Sequence, residues 1–192
     1  MAAYMDYARE VATSRKDDYG GLLGFWHGEI GVANSVWNLW EHDSLDSREA
    51  LRAELQRNDV WRSTYLPRVQ PLFRQGSARV MEPLIPLRDP VGKGNVYELR
   101  FIRGKAGRSR HLAHLLADSA SPTAVSMTIG IWTCINGHAN EIVHLSAYPD
   151  LAKRLQSPLQ SPEWRNFLDE NGESIDQMES SLLIPVSHSP MQ

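Results

Sequence analysis

The chain has 192 residues and a mass of 21.7 kDa, with 42% apolar residues, 22% charged residues and a net charge of −3. Those figures fit a soluble globular protein of one large domain or two small ones, and 20 Lys+Arg against 23 Asp+Glu leave no basic face for nucleic acid. The single cysteine, Cys134, excludes an internal disulfide and a Cys-based zinc cluster and points to a reducing compartment. No apolar run approaches the roughly 18–20 residues of a membrane span, and the opening MAAYMDYAREV lacks a signal profile, so the expected location is the cytoplasm.

Residues 1–18 carry Tyr4, Tyr7, Ala8 and Val11 and predict a helix. Leu22–Trp26 is a short apolar and aromatic run suited to a strand. Gly28 and Gly31 then mark a turn, and Asn34–Glu41 (NSVWNLWE) reads as the returning strand. Ser44–Asn58 opens on a capping serine, with Leu45, Leu51 and Leu55 near helical spacing, and predicts an amphipathic helix. A further helix begins near Trp61 and precedes a strand over Ala78–Leu87. The linker Pro86–Gly94 (PLRDPVGKG) marks a boundary. Beyond it, Asn95–Arg103 (NVYELRFIR) alternates as a strand, and Arg108–Ala120 predicts a helix with Leu112, Leu115 and Leu116 on one side. Val125–Trp132 is the next strand, followed by an Asn136-Gly137 turn and a returning strand over Asn140–Ala147. A short helix over Asp150–Gln156, stopped by Pro158, a helix near Trp164 and a last strand over Met178–Val186 complete the chain.

The six tryptophans expose a repeat within that order. LGFWHGEIGVANSVWNLWEHDSL (23–45) aligns without a gap on IGIWTCINGHANEIVHLSAYPDL (129–151) at a constant offset of 106. Gly24 falls on Gly130, Trp26 on Trp132, Ala33 on Ala139, Asn34 on Asn140, Leu39 on Leu145 and Leu45 on Leu151. After a three-residue deletion, Trp61 and Arg62 fall on Trp164 and Arg165. The chain is therefore read as a tandem duplication. The second unit, residues 95–187, runs β-α-β-β-α-α-β, the ferredoxin-like split βαβ plan with an extra helix. The first unit, residues 1–88, follows the same plan but lacks its opening strand.

VYELRFIRGKAG (96–107), GFWHGEIGVAN (24–34) with GIWTCINGHAN (130–140), and VWNLWEHDSL (36–45) with IVHLSAYPDL (142–151) resemble the NIPSNAP family of the dimeric α/β-barrel superfamily. The resemblance covers nearly the whole chain, one domain per half. It implies an α+β fold of two tandem ferredoxin-like domains whose antiparallel sheets pack face to face into a barrel, with self-association likewise expected. His144 and Tyr148 match the family's His and Tyr, where the first copy has Asn38 and His42. Trp40 and Arg48 match the family's Trp and early-helix Arg, where the second copy has Ser146 and, nearby, Lys153 or Arg154.

Ile142, His144, Ser146 and Tyr148 share one side of a strand, as do Val36, Asn38, Trp40 and His42. His144, with an ordinary pKa near ~6.5, suits a general base, and Tyr148 suits a hydrogen-bond donor to a developing oxyanion. The competing reading makes both of them structural polar residues. Asn34 and Asn140 recur at the turn exit, either holding the turn or touching a ligand with Asn38, Trp40, His42 and Arg48. Trp26, Trp132, Trp61 and Trp164 read as core. Glu98 and Arg100 share a strand face and suggest an ion pair. His27/Glu29 and His111/His114 are too few for a metal site, Cys134 lacks a CxxC partner, and there is no GxGxxG, P-loop, GxSxG or HExxH. The expectation is a small-molecule site for an aromatic or apolar compound. It serves either a cofactor-independent enzyme of monooxygenase or isomerase type, with His144 as acid/base, or a non-catalytic binding or interaction module. A haem-using barrel is a third reading, with nothing to mark an axial ligand.

Overall fold

The computed structural model describes residues 2–15, 18–32, 34–119, 127–160 and 162–192. It is α+β and divides into two compact units. The smaller comprises Met1–Trp26, Val36–Ser77 and Val186–Met191, and the larger His27–Ser35, Ala78–Pro185 and Gln192.

In the smaller unit, helix α1 (Ala2–Arg15) is followed by strand β1 (Gly21–Ile30), whose last four residues belong to the larger unit, and by its neighbour β2 (Val36–Glu41). Tyr4, Ala8, Phe25, Val69 and Val186 form the core, with Tyr4 edge-on to Phe25 at 6.3 Å. Helix α2 (Leu45–Leu55) starts as its sequence requires: the Ser44 hydroxyl accepts from the Ser47 N–H at 3.0 Å, and Asp46 faces the positive helix end. It stops three residues earlier than the apolar spacing suggests. The Asn58 side chain is committed onward, accepting from the Trp61 N–H at 3.0 Å and so capping the next helical stretch. That stretch is a π-helical turn over Trp61–Tyr65 running into α3 (Leu66–Val69), with Trp61 stacked on Tyr65 at 4.5 Å.

The larger unit contains β3 (Val80–Pro83), β4 (Val96–Gly104), α4 (Ser109–Asp118), β5 (Met127–Asn136), β6 (Glu141–Tyr148), α5 (Leu151–Gln160), α6 (Pro162–Asn171) and β7 (Ile175–Pro185). Its strands lie in the order β7-β4-β6-β5-β3, and β4–β6, β4–β7, β5–β6 and β3–β5 all pair antiparallel. Among the four strands from β4 onward, the order across the sheet is fourth, first, third, second. Ile102 of β4 sits opposite Ile142 of β6. With Ile131, these side chains meet Leu112, Ala113 and Leu116 of α4 and Phe167 of α6 in the main core.

The bounds of β3 and α5 depart from the sequence expectation. β3 has four residues rather than ten because Pro83 and Pro86 have no N–H for a ladder. Its continuation still touches β5, as the Leu84 and Arg88 amides donate to the Ile131 and Ile129 carbonyls at 2.8 and 3.0 Å. α5 does not stop before Pro158 but reaches Gln160, giving up one helical hydrogen bond and continuing. Of the strand expected from Val125, the first two residues lie outside those described.

The recurring Gly-x-Trp has a steric reason in each unit. A Cβ on Gly24 would lie 1.9 Å from the Trp26 ring, and one on Gly130 would lie 2.2 Å from the Trp132 ring. Each indole folds back over a residue that must have no side chain. We expect Gly130→Ala and Gly24→Ala each to cost about 1–3 kcal/mol in urea unfolding. Gly76→Ala, where nothing stands within 4 Å of the added carbon, should stay within about 0.5 kcal/mol. Equal effects at all three positions would refute the steric account.

Candidate functional site

β4, β6 and α5 of the larger unit bring a set of polar side chains together in its interior. The β4–β6 register sets Glu98 against Ser146 and Arg100 against His144, and alternation puts Glu98 and Arg100 on the face that carries His144, Ser146 and Tyr148. Glu98 is only 1% exposed, and its two oxygens are both taken. Oε1 accepts from Arg154 of α5 at 2.6 Å. Oε2 accepts from Arg100 and, at 3.0 Å, from the Tyr148 hydroxyl. Arg100 also donates to the Tyr148 oxygen at 3.3 Å, and its guanidinium lies 4.6 Å over the Trp164 ring.

His144 adjoins this set. Its Nδ1 is 3.4 Å from Arg100 Nη1, and its Nε2 is 3.1 Å from both Thr128 Oγ1 and Ser146 Oγ. A guanidinium can only donate, so Nδ1 is the acceptor and the ring proton sits on Nε2, directed at the two hydroxyls. Burial, reinforced by the Arg100 charge, pushes the pKa of His144 down to about 3, so the ring is neutral at physiological pH. Tyr148 is pushed up by burial, with Arg100 opposing that rise and Glu98 adding to it, and stays a phenol. Two guanidiniums thus face one carboxylate in a buried setting, with side-chain exposures of 9% for Arg100 and 17% for Arg154.

The structure brings His144 and Tyr148 together through Glu98 and Arg100, and the ion pair suggested by the sequence forms. Asn34 and Asn140 take the left-handed backbone conformation, with φ of 54° and 63°, the turn-forming geometry that asparagine tolerates. Asn140 is exposed, and its side chain meets Ser109 at 3.3 Å. Asn38, Trp40, His42 and Arg48 belong to the smaller unit. There the Trp40 indole donates to the exposed Asn38 at 3.0 Å, His42 is half-buried against Gly20, and Arg48 pairs with its neighbour Glu49. Trp164 packs on the main core but also carries Arg100 on its face.

Of the further cluster members, sequence reasoning did not single out Thr128; it puts Ser146 on the His144 face, reads Trp164 as core and leaves Arg154 as one of two counterparts of Arg48. For Arg154 a signal existed: it lies 106 residues after Arg48, at the offset of the whole repeat. Among the described residues no three His, Cys, Asp or Glu side chains are grouped to hold a metal. His27 and Glu29 approach at 3.6 Å on the surface, while His111 and His114 are exposed on α4. Cys134 is pushed up to about 12 by burial and the nearby Glu141, which makes it an unreactive thiol. None of the described helices is long and apolar enough to cross a membrane.

The antiparallel sheet with its helices and a buried Glu–Arg–His–Tyr cluster defines an α+β protein. The NIPSNAP family model matches residues 1–85 and 97–190, and the chain belongs to the NIPSNAP family. The Dictyostelium discoideum NipSnap homolog is 28% identical over 174 residues, covering 85% of this chain and 74% of that protein. Among solved structures, a candidate monooxygenase from Fusobacterium nucleatum has a TM-score of 0.68 at 10% identity, over 97% of this chain and 86% of that one. Another from Lactobacillus acidophilus has a TM-score of 0.67 at 13% identity, over 96% and 86%. At those identities the likeness is one of fold.

The His144 environment makes a pH prediction. An unfolded histidine takes up a proton near pH ~6.5, whereas the folded ring does so near pH 3. Between these values the unfolded chain binds more protons, so stability falls as pH is lowered, by up to about 1.4 kcal/mol per pH unit from this group. Denaturant unfolding of the wild type and His144→Asn at pH 7, 5.5 and 4 should show the variant losing less over the series. Parallel losses would refute the buried, neutral assignment.

Proposed function

We propose that the larger unit holds a small aromatic or apolar molecule beside His144 and Tyr148 and transforms it by proton transfer without an organic cofactor. This is a chemistry of isomerase type, which cofactor-independent monooxygenases share in its first step. The single supporting observation is a buried neutral imidazole placed between a guanidinium and two hydroxyls, with a phenol on the same guanidinium. When a substrate oxygen accepts from Arg100 and displaces its bond to His144, Nδ1 is freed. His144 Nδ1 then takes the proton from an acidified carbon, and Arg100 and the Tyr148 hydroxyl hold the resulting enolate oxygen. Returning that proton to another carbon completes an isomerisation. In this reading each half of the chain, 1–88 and 95–187, is a ferredoxin-like domain, the first without its opening strand. The strand order of the larger unit and the 106-residue repeat support that assignment. Self-association and a cytoplasmic location, expected from the resemblance and the single cysteine, belong to the same proposal.

A second reading, a binding module without chemistry, is favoured by the engagement of both His144 nitrogens and its depressed basicity. Native mass spectrometry of gently purified protein would identify a retained metabolite, which is then incubated with wild type, His144→Asn and Tyr148→Phe. Catalysis predicts conversion that falls roughly 10²–10⁴-fold in His144→Asn and less in Tyr148→Phe, with binding preserved. A metabolite that binds and is recovered unchanged from every variant refutes the enzymatic reading and supports the binding module.

A further inference from the structure

We propose that the Glu98 cluster takes a monoanionic oxygen ligand, a carboxylate or enolate, with Arg154 as its principal anchor. This proposal rests on the reading of the cluster as a ligand site and adds the charge class of what enters it.

The first support is charge balance. Among the described residues Arg100 and Arg154 converge on Glu98 as their one carboxylate, and His144 and Tyr148 beside them are neutral. A buried positive charge without a counterion is costly, and one negative charge from outside removes that cost. A cation would add to it. The chain contains a second arrangement of two arginines around one glutamate, and the contrast is informative. Glu141 is held by Arg79 at 2.5 Å and Arg103 at 3.8 Å, but those arginines are 22% and 29% exposed, so water and salt can balance them. The Glu98 set is more enclosed.

The second support is an unmet donor. Among the described residues the Nε of Arg154 is buried and has no hydrogen-bond partner, although its Nη2 is committed to Glu98. Buried donors are seldom left unpaired, and a guanidinium edge suits a carboxylate. Arg154 is also placed to answer a ligand, because it projects from α5 rather than from the sheet, whose own residues Glu98, Arg100 and Tyr148 already bond one another. The Nδ1 of His144 faces the Arg100 guanidinium and carries no proton, so it offers an anion nothing. The anion is therefore held by arginine, with the Tyr148 proton kept on Glu98 and His144 left as acceptor.

The test uses the whole chain and three probes: benzoate, its neutral isostere benzamide, and inorganic phosphate. The readouts are the Arg154 Nε–H resonance and tryptophan fluorescence. Benzoate should shift the Arg154 resonance and saturate, with an affinity that weakens as salt rises. Benzamide should do neither. Arg154→Gln should weaken benzoate roughly tenfold or more, Arg154→Lys should weaken it less, and His144→Asn should leave it bound. Benzamide binding as well as benzoate, with the same resonance shifted, overturns the anionic class and leaves the ligand site standing. Phosphate binding in place of benzoate overturns the monoanionic carboxylate. No response from any probe overturns both the proposal and the site reading beneath it. The wild-type comparison of benzoate with benzamide decides the matter even if Arg154→Gln fails to fold.

Discussion

Glu98 ties the larger unit together at the point where its sheet meets its helices. One carboxylate accepts from β4 through Arg100, from β6 through Tyr148 and from α5 through Arg154. A buried ion pair is weak evidence of net stability, because removing charges from water costs about as much as their attraction returns. Removing one partner is another matter: it leaves an uncompensated charge and costs about 3–5 kcal/mol. The geometry of Arg100, and through it the tautomer and neutrality of His144, depends on that carboxylate. An apolar residue at position 98 would fill the space and abolish the arrangement.

The two halves of the sequence treat equivalent positions differently. His144, Ser146, Tyr148 and Arg154 of the larger unit stand 106 residues after Asn38, Trp40, His42 and Arg48 of the smaller one. In the larger unit this set is buried and interlocked. In the smaller unit Asn38 is exposed and bonded to Trp40, and Arg48 turns to its helix neighbour Glu49. The strand positions are the same in kind, but the groups that would complete a cluster differ. The counterparts of Glu98 and Arg100 come from the opening strand, and no strand precedes α1 among the described residues.

Local rules made much of this legible. The Ser44 cap, the Gly-x-Trp pairs and the left-handed asparagines are each dictated by a few neighbouring atoms, and the period-two alternation was enough to put His144 and Tyr148 on one face. What escaped depended on distant partners. The pairing of β3 with β5 is a contact some fifty residues long-range, invisible to any window. The end of α2 turned on whether Asn58 would cap backward or forward. Arg154 stayed undistinguished from Lys153 because charge on a helix reads as a solvated face, and its role appears only once Glu98 is known to lie beneath it. Trp164 reads as core from composition, and half of that is right: the same ring that packs on Phe167 at 5.4 Å also carries Arg100.

Charge and proton are linked at this site. The Arg100 guanidinium that helps hold His144 down lies beside Arg154 on the same carboxylate, so an anion bound there would share a term with the ring's protonation. Any ligand that offsets the Arg100 charge raises the affinity of His144 for a proton, and a proton on His144 strengthens anion binding by the same factor. Desolvation is the larger cause of the depressed pKa, so offsetting Arg100 restores only part of the ring's basicity. In the proposed mechanism the resting ring is a hydrogen-bond acceptor toward Arg100, and it would become a base only while a substrate oxygen occupied that guanidinium. A free imidazole with an ordinary pKa would be partly protonated near neutral pH and would compete with the arginines for Glu98. Keeping it neutral until the ligand arrives separates the structural role of the carboxylate from the chemistry of the ring.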